Sequence, residues 1–301
     1  MNKEHLTYYG FLFLGWALYA YLTFQSSILK TAQGLGFSLI QGTVIVLALI
    51  VPYGVIWFIS LYGALKLRSY AQTILKTPDG SSFARIDVGL FILVLALVLP
   101  PVLGAILTVY TTIPGLAIPL TIVINYSYTI LPFIAFGVIF MGTTGLIKSG
   151  KIAPLSRAKR SLFLIPLAVV APLYIWLTFT VPNITATYHL PDFLILCTLL
   201  LPAMLAWVFG ILGAVNMGFY GREVPGIIYK KSVALIVRGV LALTGGSIFF
   251  LVVSSLGPHL SSVGTGTFLA VIYLFLAILG VGYISVARGA KRLSRLEGDS
   301  P

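Results

Sequence analysis

Apolar runs of about twenty residues recur along this chain, and a helix of that length crosses a bilayer core of about 30 Å. The composition agrees with this interpretation, because 59% of the 301 residues are hydrophobic and only 9% are charged. Soluble domains carry roughly a quarter charged residues. The sequence therefore predicts an all-α integral membrane protein. Its eight transmembrane helices are expected at about 9–24, 43–65, 87–109, 126–147, 161–181, 193–215, 232–254 and 267–287.

One segment of the chain occurs twice. VPYGVIWFISLYGALKLRSY (51–70) aligns without a gap with LPAMLAWVFGILGAVNMGFY (201–220), at an offset of 150. Proline and tryptophan are scarce here, so their coincidence in one frame indicates duplication. The residues that are identical at matched positions are Pro52 and Pro202, Trp57 and Trp207, Gly63 and Gly213, Ala64 and Ala214, and Tyr70 and Tyr220.

The match extends to the other helices. Helix four aligns with helix eight at an offset of about 140, which pairs Gly142 with Gly282 and Lys148 with Arg288. Helices one to four, in residues 1–152, then recur as helices five to eight, in residues 153–301. Because four is an even number, both copies enter the membrane in the same direction. We expect two parallel four-helix repeats related by a pseudo-twofold axis along the membrane normal.

The smaller offset at helix four gives the first half about ten additional residues, in the apolar segment TTIPGLAIPLTIVIN (111–125). Irregular backbone at membrane depth is tolerated only when it is buried in protein or lines a cavity. This segment has three interpretations: a re-entrant lid, an interfacial cap, or an overlong helix four that tilts.

The basic residues behind the net charge of +12 are concentrated in the loops after helices two, four and six and in the tail after helix eight. The opposite loops hold a single basic residue, Lys30. The positive-inside rule therefore predicts that both termini are in the cytoplasm and that the chain lies in a cell membrane, which is the inner membrane if the source is bacterial. Anionic lipid headgroups are the expected partners of these bases, and nucleic acid is not expected. The lone Cys197 excludes a disulfide within the chain, and no A-x-A site indicates a cleaved signal peptide.

The repeated tryptophans are expected near the bilayer midplane. Trp57 precedes Lys66 by nine residues, or about 13 Å of helix rise. An indole N–H at that depth requires an acceptor, so the rings should face the bundle interior. Pro52 and Pro202 should kink their helices, which frees the carbonyls of Ala48 and Thr198. The two tryptophans, the two prolines and Asn125 either pack helices together or line a central site or gate on the pseudo-twofold axis.

Small residues follow each tryptophan at a spacing that forms one stripe and allows close helix packing. They are Ser60, Gly63 and Ala64 in the first copy and Gly210, Gly213 and Ala214 in the second.

The chain offers little for catalysis, because ionisable groups inside the membrane are rare here. Asp87 and Arg238 are expected to form an ion pair between the halves, either structural or part of a relay. His189, Asp192 and His259 are weak candidates for a metal site on the outer face. No metal, no cofactor and no enzymatic activity are therefore predicted.

Two functions remain open. The first is binding or movement of a small neutral or lipid-like solute at the interface of the two repeats. The alternative is a membrane scaffold or accessory subunit, in an oligomer or with another subunit, that docks protein partners through the Gly/Ala grooves and the basic loops.

Overall fold

The computed structural model describes residues 3–25, 39–110, 117–152, 161–180, 195–224, 226–255 and 265–298. These residues contain eight α-helices and no strand, as the sequence predicts. The helices are α1 (Lys3–Gln25), α2 (Leu39–Thr73), α3 (Gly80–Tyr110), α4 (Ala117–Ser149), α5 (Ile165–Thr180), α6 (Leu201–Glu223), α7 (Ile227–Ser255) and α8 (Thr265–Gly298).

Six of the helices, α2, α3, α4, α6, α7 and α8, are long and apolar enough to cross a membrane. The apolar part of α5, Ile165–Phe179, is shorter, and α1 is not among the six. The all-helical membrane class is therefore supported, and six of the eight predicted spans meet the length and hydropathy that crossing requires.

Several helices are longer than their apolar runs. α8 continues to Gly298 and has 34 residues, a rise of about 51 Å against a hydrocarbon core of about 30 Å. Residues 117–125 form the start of the 33-residue α4, which favours the overlong-helix interpretation for that part, while residues 111–116 lie outside the described ranges. Hydropathy marks only the apolar centre of such helices, so the predicted helices are shorter than the observed ones.

The two repeated prolines have different local structures. Pro52 lies inside the continuous helix α2, whereas Pro202 follows a π-helical turn at Leu196–Leu200 that leads directly into α6. The carbonyl of Ala48, which Pro52 cannot bond, accepts a hydrogen bond of 2.8 Å from the Tyr273 hydroxyl on α8. The predicted free carbonyl thus becomes an acceptor between helices.

The helices of the first half and of the second half pack in corresponding pairs. Helix α3 packs against α4 as α7 packs against α8, and α2 packs against α3 as α6 packs against α7. Helix α1 contacts α2 and α3, and α5 contacts α6 and α7. Between the halves, α2 packs against α8 and α6 packs against α4. Each of these contacts has a counterpart when the two halves are exchanged.

Close glycine contacts give the register of these pairs. A Cβ on Gly142 would lie 2.7 Å from the carbonyl oxygen of Ser82, and a Cβ on Gly289 would lie 2.7 Å from that of Ser232. Ser82 and Ser232 differ by 150 residues, whereas Gly142 and Gly289 differ by 147.

The contact of Gly89 with the Ala135 carbonyl corresponds in the same way to that of Gly239 with the Gly282 carbonyl. The predicted offset of about 140 does not reproduce these contacts. With an offset of 147 the first half has three additional residues before α4, rather than about ten.

Candidate functional site

A cavity of about 70 Å³ lies between the halves of the molecule. Helices α2, α3 and α4 of the first half and α7 and α8 of the second half form its wall. The lining residues are Tyr53, Leu93, Ala96, Leu97, Pro101, Tyr128, Pro132, Leu243, Ser247, Phe250, Phe275, Leu279 and Tyr283. A water molecule needs about 10–15 Å³ of such space, so the cavity has room for a few waters or one small organic molecule.

Aromatic rings from three helices form one part of the wall. The rings of Tyr128 and Phe250 have centroids 4.7 Å apart, and those of Phe250 and Phe275 are 4.8 Å apart. Contacts at this distance are favourable tilted or offset arrangements. The three rings therefore support one another and provide an ordered apolar surface.

Hydroxyl groups provide the polar part of the same wall. They belong to Tyr53, Tyr128, Ser247 and Tyr283. Within the described part of the chain, none of the four makes a hydrogen bond to protein, although Tyr283 is only 2% exposed. Because buried hydroxyls in proteins are normally paired, unpaired hydroxyls in a cavity wall indicate a place where water or a ligand binds. No charged side chain is found among the described residues of the lining.

Matched positions of the two halves meet in this cavity. Leu93 and Leu97 on α3 correspond at an offset of 150 to Leu243 and Ser247 on α7. Tyr128 and Pro132 on α4 correspond at 147 to Phe275 and Leu279 on α8. The cavity is therefore built from the same places in both halves.

The repeated tryptophans do not line this cavity. Both side chains have no exposed surface, and each packs against a tyrosine ring of its own half. Trp57 lies 5.5 Å from the Tyr19 ring on α1, and Trp207 lies 5.3 Å from the Tyr174 ring on α5. The acceptors expected for the indole N–H groups are not found in the described part of the chain, where neither Nε1 atom has a hydrogen-bond partner.

The other residues predicted at a central site are Pro52, Pro202 and Asn125. Pro52 and Pro202 are half-buried, and Tyr53, the residue after Pro52, is the one that lines the cavity. The backbone of Asn125 belongs to α4, but its side chain is outside the described part.

The small-residue stripes contact other helices of the same chain. A Cβ on Gly63 would lie 2.9 Å from the Tyr283 carbonyl oxygen, and one on Gly210 would clash with the Thr244 hydroxyl. Gly213 approaches the α4 backbone at Phe140. The remaining members, Ser60, Ala64 and Ala214, are buried, and the Ser60 hydroxyl bonds to the Trp57 carbonyl at 2.8 Å. Packing inside the chain therefore occupies these grooves.

Asp87 and Arg238 lie in different surroundings. Asp87 is 7% exposed on α3, whereas the Arg238 side chain is exposed on α7. Arg68 on α2 lies on the same side of α3 as Asp87, since its guanidinium packs on the ring of Phe91, one helical turn further on. Arg68 also donates a 3.1 Å hydrogen bond to the Tyr8 hydroxyl. Arg68 is therefore a basic group that approaches this face of α3, and the pair of Asp87 with Arg238 stays a prediction.

A hydroxyl network connects the halves at the end of the bundle that carries the basic loops. The Asp79 carboxylate accepts hydrogen bonds from the hydroxyls of Ser149 and Tyr220. The Tyr229 hydroxyl lies 3.2 Å from that of Tyr220 and 3.4 Å from that of Tyr70. Thus both repeated tyrosines bond to the opposite half, Tyr220 to Asp79 and Tyr70 to Tyr229, and Asp79 and Tyr229 are themselves 150 residues apart.

The weak metal candidates His189, Asp192 and His259 lie outside the described residues. The part of the chain that the structure describes holds no group of three or more His, Cys, Asp or Glu side chains that could bind a metal ion. Cys197 is exposed in the π-helical turn.

Comparison with protein-family models, with curated proteins and with solved structures gave no match for this chain. The candidate site therefore depends on geometry alone. Sequence reasoning singled out the tryptophans and missed the aromatic residues of the cavity. Their one visible signal was a set of tyrosines and phenylalanines inside apolar spans, away from the interfaces where aromatic residues concentrate.

Proposed function

We propose that this chain binds, and allows the passage of, a small neutral solute in the cavity between two parallel four-helix repeats, residues 1–152 and 153–301. In this proposal the repeats are related by a pseudo-twofold axis along the membrane normal. All eight helices belong to the membrane domain, both termini are cytoplasmic, and the basic loops contact anionic headgroups. The protein acts without covalent chemistry, as a transporter-like protein rather than an enzyme.

The observation that carries the proposal is the cavity wall. The wall contains two pairs of matched positions from α3 and α7 and two pairs from α4 and α8. A duplicated protein brings its matched positions together on its symmetry axis, and binding sites of transporters with repeats lie at that interface. Unpaired hydroxyls in the same wall supply hydrogen-bonding groups for a solute.

The position of the hydroxyl network supports an asymmetric path. Asp79, Tyr220 and Tyr229 join the halves at the basic end, while Tyr53, Pro101, Tyr128 and Phe275 place the cavity toward the opposite end of the helices. A solute would then reach the cavity from the side opposite the basic loops, and its release to the basic side would require these hydrogen bonds to open.

The scaffold alternative has less support. It needs Gly/Ala grooves that are open to a partner, and Gly63, Gly210 and Gly213 instead contact helices of this chain. The exposed apolar side chains of α1 and α5, such as Phe11 and Val169, are suited to contact with lipid tails.

The test is mass spectrometry of small molecules and lipids retained by the purified protein. Ala96→Phe and Ser247→Leu place additional side-chain volume in the cavity, and the second uses the residue type that the matched position Leu97 already has. Both variants should lose the retained molecule, whereas Val169→Phe on the exposed face of α5 should keep it. Identical retention by all three, in variants that remain folded, would overturn the proposal.

A further inference from the structure

We infer that the cavity selects a neutral, ring-sized organic molecule that carries one or two hydrogen-bonding oxygen groups. This inference rests on the proposed function and narrows its solute class. The argument uses three features of the wall: its lack of charge, its aromatic surface and its unpaired hydroxyls.

The lack of charge excludes ions. Among the described residues, the lining of the cavity contains no acidic or basic side chain, and an unpaired ion in a low-dielectric site loses far more hydration energy than a neutral solute does. A carboxylate ligand would meet no base in this described wall, and an ammonium ligand would meet no acid. The aromatic faces of the same wall could attract a cation, and a cationic probe tests this.

The aromatic surface indicates the shape of the solute. Tyr128, Phe250 and Phe275 form a continuous series of rings on α4, α7 and α8. A planar or ring-shaped molecule gains offset or edge-to-face contacts with such a surface. The volume of about 70 Å³ has room for one small ring.

The hydroxyls indicate its polarity. Tyr128, Ser247 and Tyr283 each offer one donor and two acceptor sites, and each lacks a partner in the described residues. A fully apolar ligand would leave all three unpaired, which is costly for buried groups. A sugar, with a hydroxyl on nearly every carbon, would exceed the few partners available. One or two oxygen groups on the ligand match the wall.

The position of the hydroxyls makes the site directional. Tyr128 lines the cavity and its matched position in the other half is Phe275. Ser247 also lines the cavity, and its matched position is Leu97. The polar and apolar members of each pair lie on opposite halves. A solute with an oxygen group on one side of its ring therefore has one favoured orientation.

The experiment measures binding of five ring probes to the purified protein in detergent by isothermal titration calorimetry. The probes are phenol, cyclohexanone, toluene, benzoate and benzyltrimethylammonium, and the Ala96→Phe variant corrects for partition into micelles. Phenol and cyclohexanone should bind about tenfold or more tightly than toluene, as two hydrogen bonds would give. Benzoate and benzyltrimethylammonium should show no binding beyond the Ala96→Phe signal.

Hydroxyl-deletion variants provide the residue-level test. Tyr128→Phe and Tyr283→Phe keep the rings and should each weaken phenol binding about two- to tenfold, with toluene binding unchanged. Tyr62→Phe, at an exposed position on α2, should change neither and serves as the matched control.

The outcomes separate the two proposals. Equal binding of toluene and phenol, or tight binding of the cationic probe, would overturn the inferred class while the proposed function stands. Absence of binding by all five probes, together with unchanged retention of native molecules by Ala96→Phe, would overturn the proposed function itself.

Discussion

Alanine substitutions at glycines of the α3–α4 and α7–α8 contacts should measure the register of the duplication. A Cβ on Gly142 would lie 2.7 Å from the Ser82 carbonyl oxygen and 2.8 Å from Ile86 Cγ1. A Cβ on Gly289 would lie 2.7 Å from the Ser232 carbonyl oxygen and 2.6 Å from Ile236 Cγ1. A backbone carbonyl in a packed helix cannot move away without moving the helix, so both substitutions force the helices apart.

The expected cost follows from two opposing effects. Overpacking a close contact costs about 1–3 kcal/mol, while replacing a helical glycine by alanine gains about 0.5–1 kcal/mol. Gly142→Ala and Gly289→Ala should therefore each lower the free energy of unfolding by about 1 kcal/mol, within a range of about 0–2.5 kcal/mol. Gly282→Ala should cost less, because its nearest neighbour is a Leu243 methyl group at 2.9 Å, which can rotate.

The assay is reversible unfolding of the purified protein in detergent micelles by sodium dodecyl sulfate, followed by circular dichroism. Gly104→Ala and Gly245→Ala are matched controls, since a Cβ at either site has nothing within 4 Å among the described residues. These controls should be neutral or gain up to about 1 kcal/mol. If Gly289→Ala were neutral while Gly282→Ala equalled Gly142→Ala, the offset of 147 would be wrong and that of 140 correct.

Two hydrogen-bond predictions follow from the interfaces between the halves. Tyr220→Phe removes a donor to the Asp79 carboxylate and should lower the free energy of unfolding by about 1.5–3 kcal/mol, reduced by solvent screening because the carboxylate is half-buried. A denaturant titration that shows no change would contradict this. Tyr273→Phe removes the bond to the Ala48 carbonyl and should cost about 0.5–1.5 kcal/mol. In a Pro52→Ala background the helix can bond that carbonyl itself, so the same substitution should cost less in a double-mutant cycle.

The fold class could be predicted because it depends on local properties of the sequence. Runs of apolar residues determine where helices form, and the described chain contains the eight helices expected. The turn at Thr77-Pro78-Asp79-Gly80 is a local feature of the same kind, with the Gly80 N–H bonded to the Thr77 carbonyl at 3.0 Å. Helix ends were less predictable, because α2 and α8 continue through polar turns that hydropathy does not mark.

The register of α4 and α8 could not be predicted from the sequence. Gly282 and Gly289 are seven residues apart, and seven residues are close to two helical turns. A shift by seven therefore keeps the same helix face and still aligns glycine with glycine and a base with a base, as Lys148 pairs with Arg288 in one register and with Arg295 in the other. Only contacts with a second helix, at Ser82 and Ser232, distinguish the two.

The site was missed for a related reason. Repetition drew attention to Trp57 and Trp207, whose ring contacts with Tyr19 and Tyr174 lie inside each half. The cavity instead arises where α3 and α4 meet α7 and α8, helices that are far apart in the sequence. No local pattern contains that arrangement.

Divergence between the halves, rather than their similarity, gives the cavity its chemistry. Each of its four hydroxyl residues has an apolar counterpart at the matched position of the other half: Ala203 for Tyr53, Phe275 for Tyr128, Leu97 for Ser247 and Phe136 for Tyr283. A strictly symmetric pair of halves would present every hydrogen-bonding group twice and could not orient a small solute. Under the proposed duplication, matched positions of the two halves form the enclosure, and the residues that differ between the halves supply the polar groups. Replacing Ser247 by leucine, the residue at its matched position, should therefore remove both space and polarity while leaving the helix packing intact.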